Sequence, residues 1–376
     1  MSFVPTKEQK LIQESAREFA KRSLKPLVAG LNQSREYPAE IVRMMAENDF
    51  MGIFLAAAFG GSEAGYSSYL LVIEELSRVC AGVASILVNH NAAVYAIERW
   101  GSAEQKQSNL PALASGENLG AFALYEDGPE IGSGPGALRA TQCADGYRLN
   151  GRKTFVGNAG VASTYVVIAS SASEGSKSST AFIVPAKTPG LTIGPSRSGM
   201  GLRECPVADL VFGDVAVAEA DVLATPGKGD SIAEETLAAT AVAEAAQTIG
   251  IMQTALDEAA EYAKQRVQFG QPIANFDAVQ SLLAEPVTHC HLARLAIYDA
   301  ARLIAAGEPF LREAAMVKWF VSRVGPAGLI NAIQVEGGFG YSEEAPLAQL
   351  YRDIWGTTVL EPPADFPDRV ITGKPR

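Results

Sequence analysis

Histidines and cysteines that crowd together are the first place to look for chemistry in this chain. His289-Cys290-His291 sets two imidazoles and a thiol in three consecutive positions, donor types that suit a transition metal. On a helix, however, positions two apart point in different directions, and local structure is the plainer account. The cysteines, Cys80, Cys143, Cys205 and Cys290, are scattered and none forms a CxxC pair. That spacing argues against a structural zinc site and against a disulfide framework. Arg266 offers a planar forked donor that suits phosphate oxygens, and Gly337-Gly338 lets backbone approach a bound group closely. Read singly, Arg266 is better taken as a surface cation at a helix end and the glycine pair as a plain turn.

Composition narrows what such residues could serve. The formal net charge of −11 argues against nucleic acid, whose phosphates demand a basic surface. It leaves room for a phosphorylated small ligand, because a local basic patch can sit on an acidic protein. No stretch reaches the roughly 18 unbroken apolar residues of a membrane span. Met1-Ser2-Phe3-Val4-Pro5 leads straight into charged residues without the parts of a secretory signal, so the expected compartment is the cytoplasm. With 376 residues, of which 48% are hydrophobic, two or three domains with large cores are expected.

The elements that must position these residues follow from periodicity and punctuation. Residues 1–118 read as an N-terminal helical domain. Thr6 with Gln9 forms a capping-box pattern ahead of a long amphipathic run to about Ala29, Pro38 opens a helix through Met45, and Tyr69 to Ile97 reads as one or two buried helices. Residues 119–226 read as a central β-domain, an antiparallel barrel or sandwich. Thr164–Ile168 and Ala181–Val184 are strand-like, Gly and Pro recur every eight to twelve residues or so, and Asn150-Gly151 signals a hairpin turn. Residues 227–376 return to helical periods over Ser231–Gln265, Phe276–Ala306 and Glu308–Val335, a C-terminal four-helix bundle. The expected fold class is α+β, helices then β then helices.

Several blocks in order then point to a family: Glu74-Glu75-Leu76-Ser77; Gly101 to Lys106 with Leu110-Pro111; Asn150-Gly151-Arg152-Lys153; Gly199-Met200-Gly201-Leu202-Arg203; Arg266 to Gly270; Gln334 to Tyr341; and Tyr351-Arg352-Asp353. In this order and spacing the chain resembles the acyl-CoA dehydrogenase family over nearly its whole length. The resemblance implies an FAD between the β-domain and the C-terminal helices, with Arg266, Phe269, Gln334, Gly337 and Gly338 completing the diphosphate and adenine site of a neighbouring subunit. It further implies a flavin-ring pocket from Phe122, Leu124, Tyr125, Gly132, Ser133, Phe155 and Gly157. Here the sequence departs from the family's usual pattern. Tyr125 replaces a threonine, two extra residues precede Gly132-Ser133, and the usual Trp-Ile-Thr-Asn reads Phe155-Val156-Gly157-Asn158. Phe155 can still stack on the ring, and Gly157, without the hydroxyl, keeps its backbone N–H.

The resemblance also implies a reaction: removal of the α-proton of an acyl thioester while hydride leaves Cβ for the flavin. It places the base at Glu361, ten residues after Tyr351, although Pro362-Pro363 stand where the family has Gly-Thr. Some relatives carry the base on a C-terminal helix instead, where Glu244 is the second candidate here. The implied partners are an acyl-CoA or acyl-carrier-protein thioester, an electron-transfer flavoprotein, and further copies of the chain in a dimer-of-dimers tetramer. Two other readings stay open: a subunit of a heteromeric enzyme with an incomplete flavin pocket, and another flavin reaction, oxidase-like, on the same scaffold.

Overall fold

A computed structural model of the protein describes residues 4–34, 36–128, 136–171, 178–359 and 370–372. The chain runs helices, sheet, helices. Helix α1 (Lys7–Phe19) starts at a capping box in which the Thr6 hydroxyl accepts from the Gln9 N–H at 3.2 Å and the Gln9 side chain accepts from the Thr6 N–H at 2.9 Å. The helix then widens to a π turn over Ala20–Leu24 and tightens over Lys25–Leu27 before α2 (Val28–Ser34). Pro26, which has no N–H to give to the ladder, sits at that transition.

After α3 (Ala39–Glu47), the apolar stretch forms two helices, α4 (Gly65–Ser77) and α5 (Ala81–Trp100), which are buried almost all round, and α6 (Ala103–Ala114) closes the domain.

The sheet contains β1 (Gly120–Ala123), β2 (Arg139–Cys143), β3 (Gly146–Gly157), β4 (Thr164–Ser170), β5 (Ser179–Pro185), β6 (Leu191–Ser196), β7 (Val207–Val217) and β8 (Val222–Leu223). Its order is β6-β7-β3-β2-β4-β5-β8, with β1 on β4. The pairing is antiparallel except at β1–β4 and β2–β4, which run parallel. One face encloses a core of Tyr147, Leu149, Tyr165, Val167, Phe182 and Leu210. The other face of β4 and β5, through Val166, Ile168 and Ile183, packs on Ala93 and Ile97 of α5 and Leu110 of α6. Burial on both faces is why this strand reads as an unbroken apolar run rather than an alternating one.

Asn150-Gly151 corrects one expectation. The β2–β3 hairpin turns instead at Ala144-Asp145, with Cys143 paired to Gly146, and Asn150-Gly151 forms a bulge inside β3. The Asn150 side chain accepts from the Asp214 N–H on β7 at 2.8 Å. Gly151 has φ +131°, and a Cβ there would lie 2.4 Å from the Ala137 carbonyl oxygen. Glycine is needed at the bulge for both reasons.

The C-terminal part begins with α7 (Gly229–Gln265), followed by a short hairpin, β9 (Val267–Gln268) with β10 (Gln271–Pro272). Then come α8 (Asp277–Ala306), α9 (Leu311–Glu336) and α10 (Pro346–Val359). Helix α7 is the hub, its alanines packed against α4, α5, α8, α9 and α10. Gly250 permits close approach of α4: a Cβ there would meet the Glu74 carbonyl oxygen at 2.5 Å.

Candidate active site

The site is built where β1 and β3 meet α5. Phe155 and Asn158 of the Phe155-Val156-Gly157-Asn158 segment have left-handed backbones, φ +53° and +62°. Asn158 tolerates this and anchors the segment. Its buried amide donates to Ile86 O at 2.9 Å and Gly120 O at 3.2 Å, while its N–H donates to Pro206 O at 2.8 Å.

Phe155, on β3, leaves its ring 46% exposed. The Arg197 guanidinium lies 4.5 Å from its ring centroid and is itself fixed by a two-point pairing with Asp209 at 2.9 and 2.6 Å. The hydrogen bond from Arg197 holds the Asp209 carboxyl below the usual carboxylate range, and the same carboxylate accepts from the Phe155 N–H at 3.3 Å.

A second set of contacts holds the Leu124-Tyr125-Glu126 segment against β3. The Thr154 N–H donates to Tyr125 O at 2.8 Å. Lys153 is fully buried, and its ammonium donates to Leu124 O at 2.9 Å and to Glu126 at 2.5 Å. Burial pulls the Lys153 pKa down to about 8, against the opposing pull of Glu126. His90 of α5 is also fully buried; its Nδ1 accepts from the Gly120 N–H at 3.0 Å, and burial pushes its pKa down to about 4. It is a neutral structural acceptor that fixes the start of β1.

The expected pocket residues Phe122, Leu124, Tyr125, Phe155 and Gly157 therefore gather around one junction. Gly132 and Ser133 lie outside the described residues. The second expected group gathers separately, at the ends of α7 and α9. Arg266 caps α7, Gly337 caps α9 with φ +59°, and Tyr262 stacks on Phe339 at 5.9 Å to tie the two ends together. Arg266, Gln334 and both glycines are exposed, and Phe269 is 93% exposed. Among the described residues the Arg266 guanidinium has no carboxylate partner. A Cβ built on Gly337 or Gly338 would meet nothing within 4 Å, so the backbone there is open to approach. A free guanidinium, bare backbone beside it and a half-exposed ring at the other group are the donor types a flavin dinucleotide needs, and the residues fit it.

Glu361 lies outside the described residues, as do Pro362 and Pro363. Glu244, the second candidate base, accepts from the buried Lys318 ammonium at 2.6 Å, and Lys318 also donates to Thr357 O at 2.6 Å in the last turns of α10. That arrangement holds Glu244 as a counter-ion. Glu74 and Glu75 are likewise engaged, by Arg294 and Arg17, both at 2.7 Å. The Gly199–Arg203 and Tyr351–Asp353 blocks meet directly: Asp353 accepts from the Leu202 N–H at 2.8 Å, and a Cβ on Gly201 would strike Arg352 O at 2.2 Å. Sequence reasoning passed over the roles of Asn89, Lys153, Asn158, Arg197 and Asp209, whose partners are distant in the chain. For Asn89 the local signal was a polar stretch, Asn89-His90-Asn91, inside the apolar run of α5.

Fold and candidate site together define a helix–β–helix protein with an exposed guanidinium and open backbone at one group of residues and a thrice-pinned turn at the other. The sequence matches the acyl-CoA dehydrogenase N-terminal domain over residues 6–117, the middle domain over 121–215 and the C-terminal domain over 227–363. The chain belongs to the acyl-CoA dehydrogenase family. It is 38% identical over 376 residues to acryloyl-CoA reductase (NADH) of Anaerotignum propionicum, covering 99% of this chain and 95% of that one. It is 35% identical over 378 residues to the short-chain specific acyl-CoA dehydrogenase of Clostridium acetobutylicum, covering 100% and 99%. Its structure superposes on butyryl-CoA dehydrogenase from Megasphaera elsdenii with a TM-score of 0.95 at 35% identity, covering 99% of each chain.

Proposed function

We propose that the protein is an FAD-dependent dehydrogenase that forms an α,β double bond in an acyl thioester, carried on CoA or on a carrier protein. The half-exposed Phe155, held in a left-handed backbone with Gly157 beside it at the α5 junction, is the observation that carries this reading. Nothing in the packing of a helix–sheet junction calls for an aromatic ring left open there. Bound FAD would supply the acceptor for the hydride from Cβ. Phe122, Leu124, Tyr125, Phe155 and Gly157 would line its ring, with Gly132 and Ser133 assigned from the family pattern. Arg266 and Phe269 with Gln334, Gly337 and Gly338 would hold the diphosphate and adenine of a neighbouring copy.

Glu361 would take the α-proton. A carboxylate beside an apolar acyl chain is raised in pKa toward the working range, which suits a general base. Homo-oligomerisation as a dimer of dimers is supported by the exposed aromatics next to the second group, Phe269 at 93% and Tyr341 at 90%. An electron-transfer flavoprotein is the proposed electron acceptor.

The test is direct. The purified protein should be yellow with about one FAD per chain, and a good acyl-thioester substrate should bleach it. Glu361→Gln should keep the flavin and lower the bleaching rate by roughly 10²-fold or more, the scale of general-base removal. Native bleaching by Glu361→Gln would overturn the base assignment. A colourless chain that takes up no FAD would overturn the flavin reading and favour a subunit that completes a partner's site.

A further inference from the structure

Gly157 stands where the family pattern has a threonine, and the structure shows what has taken the space. A Cβ built on Gly157 would lie 2.4 Å from both Cγ and Oδ1 of Asn89 and 2.5 Å from its Nδ2. These distances are far inside van der Waals contact, so the Asn89 amide occupies the position that a side chain of residue 157 would fill. Asn89 comes from α5, a different element in a different domain. Of residues 81–97 on that helix it alone is not buried, so part of it stays accessible while its neighbours are packed away.

The amide is also oriented. Its Nδ2 lies 2.8 Å from Ser85 O, a carbonyl that can only accept, and 3.5 Å from Cys205 Sγ. The nitrogen is therefore committed to the helix side, and Oδ1 is left as an acceptor at the Gly157 face.

We propose that Asn89 is a flavin-contact residue: its side-chain amide supplies, from α5, the polar contact that a hydroxyl at position 157 supplies in the family pattern, and glycine at 157 is what admits it. The inference rests on the flavin reading above. It makes the departure at residue 157 one half of an exchange between two positions. An acceptor at this point has a definite consequence. The reduced flavin ring carries an N–H that the oxidised ring lacks, so a carbonyl oxygen facing it favours the reduced form.

The experiment is a double-mutant cycle on the full-length flavoprotein, with Asn89→Ala, Gly157→Ser and the two combined. The readouts are FAD per chain after dilution and the ratio of reduced to oxidised flavin at equilibrium with a reference dye. Asn89→Ala should shift that ratio about tenfold toward the oxidised form, the worth of one hydrogen bond. Gly157→Ser should lose FAD at least about tenfold more readily, because the new side chain meets the tethered amide. The combined variant should recover both properties, since the serine hydroxyl then fills the vacated space. Should Asn89→Ala fail to fold, Asn89→Ser is read the same way, with unfolding in urea as the control. The inference is overturned if Asn89→Ala leaves the flavin ratio within about twofold of native. It is equally overturned if Gly157→Ser retains FAD as the native chain does, or if the combined variant is no better than Gly157→Ser. A native chain that binds no FAD would instead overturn the underlying reading.

Discussion

His90 gives the fold a specific weakness toward acid, and its size follows from the structure. The imidazole is fully buried, its Nδ1 accepts from the Gly120 N–H, and its Nε2 has no partner among the described residues. Burial lowers its pKa to about 4, against about 6.5 in an unfolded chain. Because the folded value lies below the unfolded one, the contribution to stability is fully present above about pH 6.5 and is lost as pH falls through 4. Relative to pH 7, the loss from this one group is about 1.2 kcal/mol at pH 5.5 and about 2.4 kcal/mol at pH 4.5.

His90→Asn isolates the effect. Its side-chain oxygen can take the place of Nδ1 for Gly120, and the lost ring volume costs the same at every pH. Urea unfolding of both proteins at pH 7, 5.5 and 4.5 should show the native chain losing those increments relative to the variant. Asp353 and Glu336, raised to about 6 chiefly by burial, titrate with the opposite sign but are common to both proteins and cancel in the difference. Parallel pH dependences, or an NMR titration of the His90 imidazole near 6.5, would refute the reasoning.

Three further outcomes are expected. Arg294→Met should cost about 3 kcal/mol, because Glu74, only 6% exposed, loses the guanidinium it meets at 2.7 Å; Glu74→Gln should cost less, since the freed Arg294 is 29% exposed, and urea midpoints give the ranking. Arg266→Ala should weaken FAD retention without unfolding the helices, read by flavin content against far-UV circular dichroism. Light scattering of the native protein should give a tetramer, and a strictly monomeric particle at working concentration would count against a neighbour's share in the site.

Local signals carried much of this molecule. The Thr6–Gln9 capping box starts α1 because both partners lie three residues apart on one turn. The apolar run of Tyr165–Ile168 became a doubly buried strand, and the Ala-rich stretch became α7. The family blocks, read in order, carried the fold and the two groups of cofactor candidates. Asn150-Gly151 misled because a dipeptide suited to a tight turn is also suited to a bulge, and the pairing of Asn150 with Asp214 on another strand selected the bulge.

What composition and order could not contain was the meeting of residues far apart in the chain. Asn89 fills the space at Gly157, Arg197 covers Phe155, and Lys318 engages Glu244 and the end of α10 only because helices and strands pack across one another. Which elements form was written locally, since helix caps, apolar periods and glycine positions act within a few residues. Tertiary structure alone decided which polar groups face the site and which are spent on burial, because a buried charge or amide takes whatever partner the packing brings within hydrogen-bond reach.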